Sequence, residues 1–321
     1  MEKTALPIGD NEHKVAAWGI TGPDSKKHEP IWIPRGNPGD EHVQFELLFS
    51  GICHSDLSIA GMQMFGAPKF PAVTGHELFG RVTVVGSKVS KVKVGDFVAV
   101  GCMVDSCLSC SQCTAGDEQY CLKGNTNTYQ SQRKHGRVPG NQELTTFGGY
   151  SAENVVHEHF VVKVPETIPQ EVVGPIMCAG ITLYDPLKHW GALGEKKINV
   201  GIVGVGGLGT MGIKLAKAMG NNVVAISTSA SKEEVAKTKG ATGFVCSKSE
   251  ESIKAHAGTL DLILNTVSNH HDLSPYMQLL AKNGTIVQLG IITEKMTFNQ
   301  VPLFANRHSI AGSMIGGLKN S

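Results

Sequence analysis

The chain has 321 residues, enough for two domains of ordinary size, and its 41% hydrophobic content and 38 glycines suit a turn-rich globular protein. A formal charge of +1 gives no electrostatic basis for binding nucleic acid or an anionic membrane surface. The opening MEKTALPIGDNEHK lacks the apolar core of a secretory signal, and no apolar run reaches the roughly 18 residues that span a bilayer, so a cytoplasmic protein with no membrane partner is expected.

The first half carries turn-separated β patterns, such as VQFELLFSGI (43–52) and GRVTVVGSKVSKVKVGDFVAV (80–100). Between and after them stand two short motifs, GICHSDL (51–57) and PAVTGHELFG (71–80). A loop with the spacing C-x2-C-x2-C-x7-C follows, at Cys107, Cys110, Cys113 and Cys121. Eight cysteines in 321 residues lie far below the density of a disulfide scaffold, and a reducing compartment disfavours disulfides. Short C-x2-C steps turn successive thiolates toward one ion, and four of them close a tetrahedral shell suited to zinc. Iron–sulfur runs also use C-x2-C-x2-C, but they continue with Cys-Pro, whereas Leu122 follows Cys121 here. A closed four-sulfur site has no open position, so this zinc is expected to be structural. The segment QSQRKHGRVPGNQELTTFGGY (130–150), with Arg133, Lys134, His135 and Arg137, reads as a solvated loop.

From about residue 178 the pattern alternates: strand 198–203, helix 207–219, strand 222–227, helix 231–239, strand 260–266, helix 272–282 and strand 285–290. Such alternation predicts a doubly wound parallel sheet. Gly204-x-Gly206-Gly207-x-Gly209 sits between a strand and a helix, the setting in which a glycine turn cradles a dinucleotide pyrophosphate. An NAD site places an acid at the end of the next strand to bind the ribose 2′-hydroxyl. This chain has Ser227 there, followed by Thr228, Ser229 and Lys232, groups that would bind a 2′-phosphate, so NADP(H) is the expected cofactor.

G-x-C-H-S-D at Gly51–Asp56, G-H-E at Gly75–Glu77, the four-cysteine loop and C-A-G-I-T at Cys178–Thr182 stand in the order of one family. Nearly the whole chain resembles the zinc-dependent medium-chain dehydrogenase/reductases, cinnamyl alcohol dehydrogenase branch. The resemblance implies an α/β protein with a GroES-like β-rich catalytic domain (1–177), a Rossmann doubly wound parallel-sheet domain (178–316) and, at 317–321, the start of a return to the catalytic domain. Both zinc motifs would lie on the first domain, beside a cleft between the two, and the protein would be a homodimer through the Rossmann domain.

The resemblance also implies two zincs per chain. Cys53, His76 and Cys178 would ligate a catalytic zinc, with Glu77 as an alternate ligand. Asp56 would accept a hydrogen bond from the far nitrogen of His76, and Ser55 would touch the substrate oxygen and begin a proton relay. His54 would lie near the cofactor pyrophosphate, and Leu208 joins Gly204, Gly206, Gly207 and Gly209 in the cofactor turn. The implied reaction interconverts primary, cinnamyl-type alcohols and aldehydes with NADP(H). Met62, Met64 and Phe65 are candidates for an apolar substrate pocket. Two departures stand out. Ser58 occupies the position of a histidine that often ends the relay, and relatives continue beyond the position of Ser321. The alternatives are a catalytically inactive NADPH- and zinc-binding protein and an NAD-dependent polyol dehydrogenase, the latter opposed by Ser227 and Lys232.

Overall fold

The structure is a computed structural model that describes residues 6–25, 27–60 and 68–320, the side chains of 58–60 aside. The chain forms two compact units, Met1–Cys178 with Gly317–Ser321, and Ala179–Gly316.

In the first unit, β1 (Glu12–Gly19) and β2 (Glu29–Gly36) form an antiparallel ribbon. β3 (His42–Ser50) leads through a short loop to helix α1 (His54–Ala60), and β4 (Leu78–Val85) and β5 (Phe97–Val100) follow. β6 (Met103–Asp105), the short helix α2 (Ser111–Ala115) and β7 (Thr126–Asn127) frame the cysteine loop. β8 (Glu153–His157), β9 (Val162–Lys163) and α3 (Gln170–Pro175) complete the unit. The main sheet runs β8-β3-β4-β5-β9 with all neighbours antiparallel. Its strands alternate between core and solvent, as at Val43 and Phe45 in β3, which one-sided burial demands. Phe79, Ala99, Val164 and Val173 pack into one of its cores.

The second unit contains α4 (Ile181–His189), β10 (Asn199–Val203), α5 (Gly207–Ala218), β11 (Asn222–Ser227), α6 (Glu233–Thr238), β12 (Gly243–Cys246), α7 (Glu250–Ala255) and β13 (Leu260–Asn265). It ends with α8 (Ser274–Met277), β14 (Leu280–Gln288), α9 (Val301–Ala305) and β15 (Ser309–Gly312). Six strands pair in parallel in the order β12-β11-β10-β13-β14-β15. The strand order therefore reverses between β10 and β13, the switch point at which such sheets bind ligands. β10 is buried along Val200–Val203, as a strand covered on both faces must be. α5 turns Gly209, Gly212, Ile213 and Ala216 inward, a stripe at i, i+3, i+4 and i+7 that packs on Leu183 and Ile202.

Three sequence expectations change. The helix expected over 272–282 shrinks to one turn, because the chain enters the sheet at Leu280, which pairs with Leu260, while Leu260 N–H donates to Leu279 O in the preceding turn at 2.9 Å. The helix expected over 231–239 divides into a 3-10 turn at Ala230–Lys232 and α6. The loop read as solvated buries Arg133, while Arg137 Nη1 donates to Ser106 O at 2.8 Å and His135 Nε2 to Gly124 O at 2.6 Å; carbonyls of adjacent loops replace water. β12, α7 and β15 carry too little periodicity to stand out in the sequence.

Gly204 is left-handed at φ +95°, and a Cβ on Gly209 would lie 1.8 Å from the Gly204 carbonyl oxygen. Gly209→Ala should therefore cost about 1–3 kcal/mol in urea denaturation, through overpacking. A Cβ on Gly206 would meet nothing within 4 Å, so Gly206→Ala should stay within about 1 kcal/mol of wild type. Equal losses in the two variants would show that close approach of helix to turn is not what limits position 209.

Candidate metal centres and cofactor turn

The ligand atoms of Cys53, His76, Glu77 and Cys178 all lie within 4.8 Å of one another. They come from three places in the chain. Cys53 precedes α1, His76 and Glu77 precede β4, and Cys178 lies in the π-helical turn Ile176–Gly180. A Cβ on Gly51 would fall 1.8 Å from Glu77 Oε2, so glycine there makes room for the carboxylate. His76 Nε2 faces Cys178 Sγ at 3.2 Å, and Ser55 Oγ lies 3.6 Å from Cys53 Sγ.

Asp56 organises this cluster. It is 2% exposed, and its Oδ1 accepts from Gly75 N–H at 3.0 Å and lies 3.5 Å from His76 Nδ1. Its Oδ2 accepts from Cys53 N–H and from the Tyr150 hydroxyl, both at 2.9 Å. The Tyr129 hydroxyl also reaches His76 Nδ1, at 3.1 Å. Burial pushes the Asp56 carboxyl up, but the bonds to His76 and to the backbone of Cys53 and Gly75 outweigh it and hold the group below the usual carboxylate range. Sequence reasoning missed Tyr129 and Tyr150. Neither belongs to a local pattern; both are supplied by distant loops.

The donor set suits a divalent cation. Glu77 is raised, first by burial and then by the nearby Cys53. The thiol of Cys53 is held at about 12, chiefly by its hydrogen bond with Cys178, and burial adds to this. The thiol of Cys178 is likewise held at about 12, first by its hydrogen bond with Cys102. Three groups that resist ionisation side by side are those a bound cation would ionise. One imidazole and two sulfurs with a nearby carboxylate match zinc.

The second cluster is Cys107, Cys110, Cys113 and Cys121, again with sulfurs within 4.8 Å of one another. Cys107 and Cys113 sulfurs are 3.9 Å apart, and those of Cys110 and Cys113 are 3.5 Å apart. A tetrahedron of sulfurs about 2.3 Å from a zinc has edges of about 3.8 Å. Backbone N–H groups point at the sulfurs: Cys107 to Cys121 at 3.4 Å, Cys110 to Cys107 at 3.3 Å and Leu122 to Cys110 at 3.4 Å. Leu108 takes a left-handed φ of +54° to make the first turn, a conformation uncommon for a branched side chain. Donation from the backbone of Ser109 leads in lowering the Cys107 thiol to about 5.

In the second unit the glycine turn runs from the end of β10 into α5. A Cβ on Gly206 or on Gly207 would meet nothing within 4 Å, so both backbones are open to a ligand, and Leu208 begins the helix beside them. Ser227 ends β11, and its Oγ accepts from Ser229 N–H at 3.2 Å. Thr228, Ser229 and Lys232 are exposed, and Lys232 has no ion pair among the described residues. His54 opens α1 in the first unit. The side chain of Ser58 and all of Met62, Met64 and Phe65 lie outside the described residues.

Comparison with known proteins agrees with this geometry. A family profile described as alcohol dehydrogenase GroES-like domain matches residues 39–166, and one described as zinc-binding dehydrogenase matches residues 207–321. An 8-hydroxygeraniol dehydrogenase of Catharanthus roseus is 44% identical over 312 residues, covering 97% of this chain and 84% of that protein. An NADP-dependent alcohol dehydrogenase C of Mycobacterium tuberculosis (strain CDC 1551 / Oshkosh) is 44% identical over 303 residues, covering 94% and 84%. Among solved structures, a cinnamyl alcohol dehydrogenase of Sorghum bicolor superposes with a TM-score of 0.87 at 36% identity, covering 96% of this chain and 85% of that one. A cinnamyl alcohol dehydrogenase of Helicobacter pylori complexed with NADP(H) gives 0.85 at 33% identity, with the same coverage. Two ligand clusters, a glycine turn at a parallel-sheet switch point and these likenesses together place the chain in the zinc-dependent medium-chain dehydrogenase/reductase family, within its cinnamyl-alcohol-dehydrogenase-like branch.

Proposed function

We propose that this chain is an NADP(H)-dependent alcohol dehydrogenase and aldehyde reductase that transfers hydride between the nicotinamide and primary, cinnamyl-type alcohols or aldehydes. The observation that carries the reading is the partly buried Cys53–His76–Glu77–Cys178 cluster with the buried Asp56 behind it. A zinc ion in that cluster would act as a Lewis acid on the substrate oxygen, and the cofactor would supply or take the hydride. The protein's own residues then have distinct tasks. Asp56, aided by Tyr129 and Tyr150, fixes the His76 ring so that Nε2 faces the cluster. The Ser55 hydroxyl, beside Cys53, is placed to pass a proton to or from the substrate oxygen. Glu77, raised by burial, offers a carboxylate as alternate ligand. The second cluster is read as a structural zinc, giving two per chain.

The fully loaded protein should carry two zincs by elemental analysis, and one or fewer would defeat the assignment. Cys107→Ser should lower thermal stability sharply, since zinc binding at such a site is coupled to folding. Cys178→Ser should keep the four-cysteine zinc and the fold but reduce aldehyde turnover at least a hundredfold, about 3 kcal/mol in the barrier.

NADPH should be preferred over NADH. Ser227→Asp should bring the two within about tenfold by placing a carboxylate against the 2′-phosphate, a repulsion of order 1–2 kcal/mol. Equal kcat/KM of the wild type with both cofactors would refute the reading. In a screen with NADPH, cinnamaldehyde should exceed short aliphatic aldehydes in kcat/KM.

The family reading extends to a homodimer through the second unit. β15 is an edge strand there, with Ile310 and Met314 exposed at and just beyond it. An edge strand with an exposed Ile310 favours pairing with a copy of itself. Light scattering should give a dimer for the wild type, and Ile310→Lys should shift it toward monomer. A monomeric wild type would rule the dimer out.

A further inference from the structure

Asn265 ends β13, beside the switch point, and is fully buried. Its Oδ1 accepts from Val267 N–H at 3.3 Å, and its backbone oxygen accepts from the N–H groups of Leu289 at 2.9 Å and Gly290 at 3.1 Å. The side chain of Asn265 therefore sets the turn after β13, and its backbone oxygen the exit from β14. Thr266, inside that turn, donates twice to the Val203 carbonyl, from N–H at 3.1 Å and from Oγ1 at 2.7 Å. Val203 immediately precedes Gly204, and Thr266 Oγ1 would lie 2.8 Å from a Cβ on Gly204. The glycine turn rests on Thr266, and Thr266 is held by Asn265.

The two protons of Asn265 Nδ2 go to Gln288 Oε1 at 2.7 Å and to His271 Nε2 at 2.9 Å. An amide nitrogen only donates, so His271 Nε2 must accept. The ring proton is then on Nδ1, which faces Asn269 O at 2.6 Å. The edge-on ring of Tyr276, 5.7 Å away, completes the seat. No other described group takes that second Nδ2 proton.

We propose that His271 is a positioning residue for the dinucleotide: by accepting from Asn265 it fixes the Thr266–Val267 turn on which the cofactor's glycine turn rests. The proposal builds on the reading that this unit binds NADP(H). Without the imidazole, one amide proton of the buried Asn265 loses its acceptor, and only the bond to Gln288 Oε1 still holds the amide in the orientation that meets Val267 N–H.

The test is equilibrium binding of NADPH to the full chain, followed by nicotinamide fluorescence. His271→Ala should weaken binding roughly tenfold, about 1.4 kcal/mol, while kcat at saturating NADPH changes less than about twofold. Glutamine can place an acceptor where Nε2 stood; asparagine reaches only the Nδ1 position. His271→Gln should therefore recover most of the affinity, and His271→Asn should resemble His271→Ala. Wild-type affinity in His271→Ala, or equal behaviour of the Gln and Asn variants, would overturn the role of His271 and leave the cofactor reading standing. If His271→Ala does not fold, the Gln and Asn pair decides the question alone. Absence of NADPH binding by the wild type would overturn both.

Discussion

The cost of burying the Asp56 carboxylate governs how the first unit is put together. A carboxylate at 2% exposure is tolerable only if donors replace its water, and they come from three stretches of the chain, at Cys53, at Gly75–His76 and at Tyr150. Cys53 and Gly75 give backbone N–H groups, Tyr150 gives a hydroxyl, and His76 gives a ring nitrogen. The residues that satisfy the charge include two of the candidate metal ligands. Solvation of one buried acid and alignment of a ligand set are thus one problem with one solution.

The second unit meets a different constraint, the close approach of a helix end to a strand end. Gly204 and Gly209 remove the side chains that would hold α5 away from the turn, and Thr266 ties the turn from below through the Val203 carbonyl. What remains above Gly206 and Gly207 is open backbone at a positive helix end, the setting in which a phosphate is stabilised.

Legibility in the sequence followed the distance over which each feature is determined. The four-cysteine loop could be read because all its ligands fall within fifteen residues, and the structure brings their sulfurs together. The glycine turn and β10 were legible for the same reason, being one continuous stretch. Cys53, His76 and Cys178 are single residues scattered over 126 positions of chain, and only likeness to a family joined them beforehand. Tyr129 and Tyr150 had no local signature, since their value lies in reaching His76 and Asp56 across the fold. The failed helix over 272–282 shows the same limit in reverse. Leu273, Tyr276, Met277 and Leu280 carry a helical period, but pairing with Leu260 outweighs it.

Glu118 is 1% exposed, and its two oxygens bond His159 Nε2 at 2.7 Å and Leu318 N–H at 2.9 Å. The segment from Gly317 belongs with the first unit, so the whole of Ala179–Gly316 is an insertion between two parts of that unit. On the ribosome, the first unit must wait for some 140 further residues to be made before the Leu318 N–H can reach Glu118. The parallel-sheet unit, which is continuous, has no such wait. Part of the segment translated first is therefore completed only by residues made after the whole parallel-sheet unit.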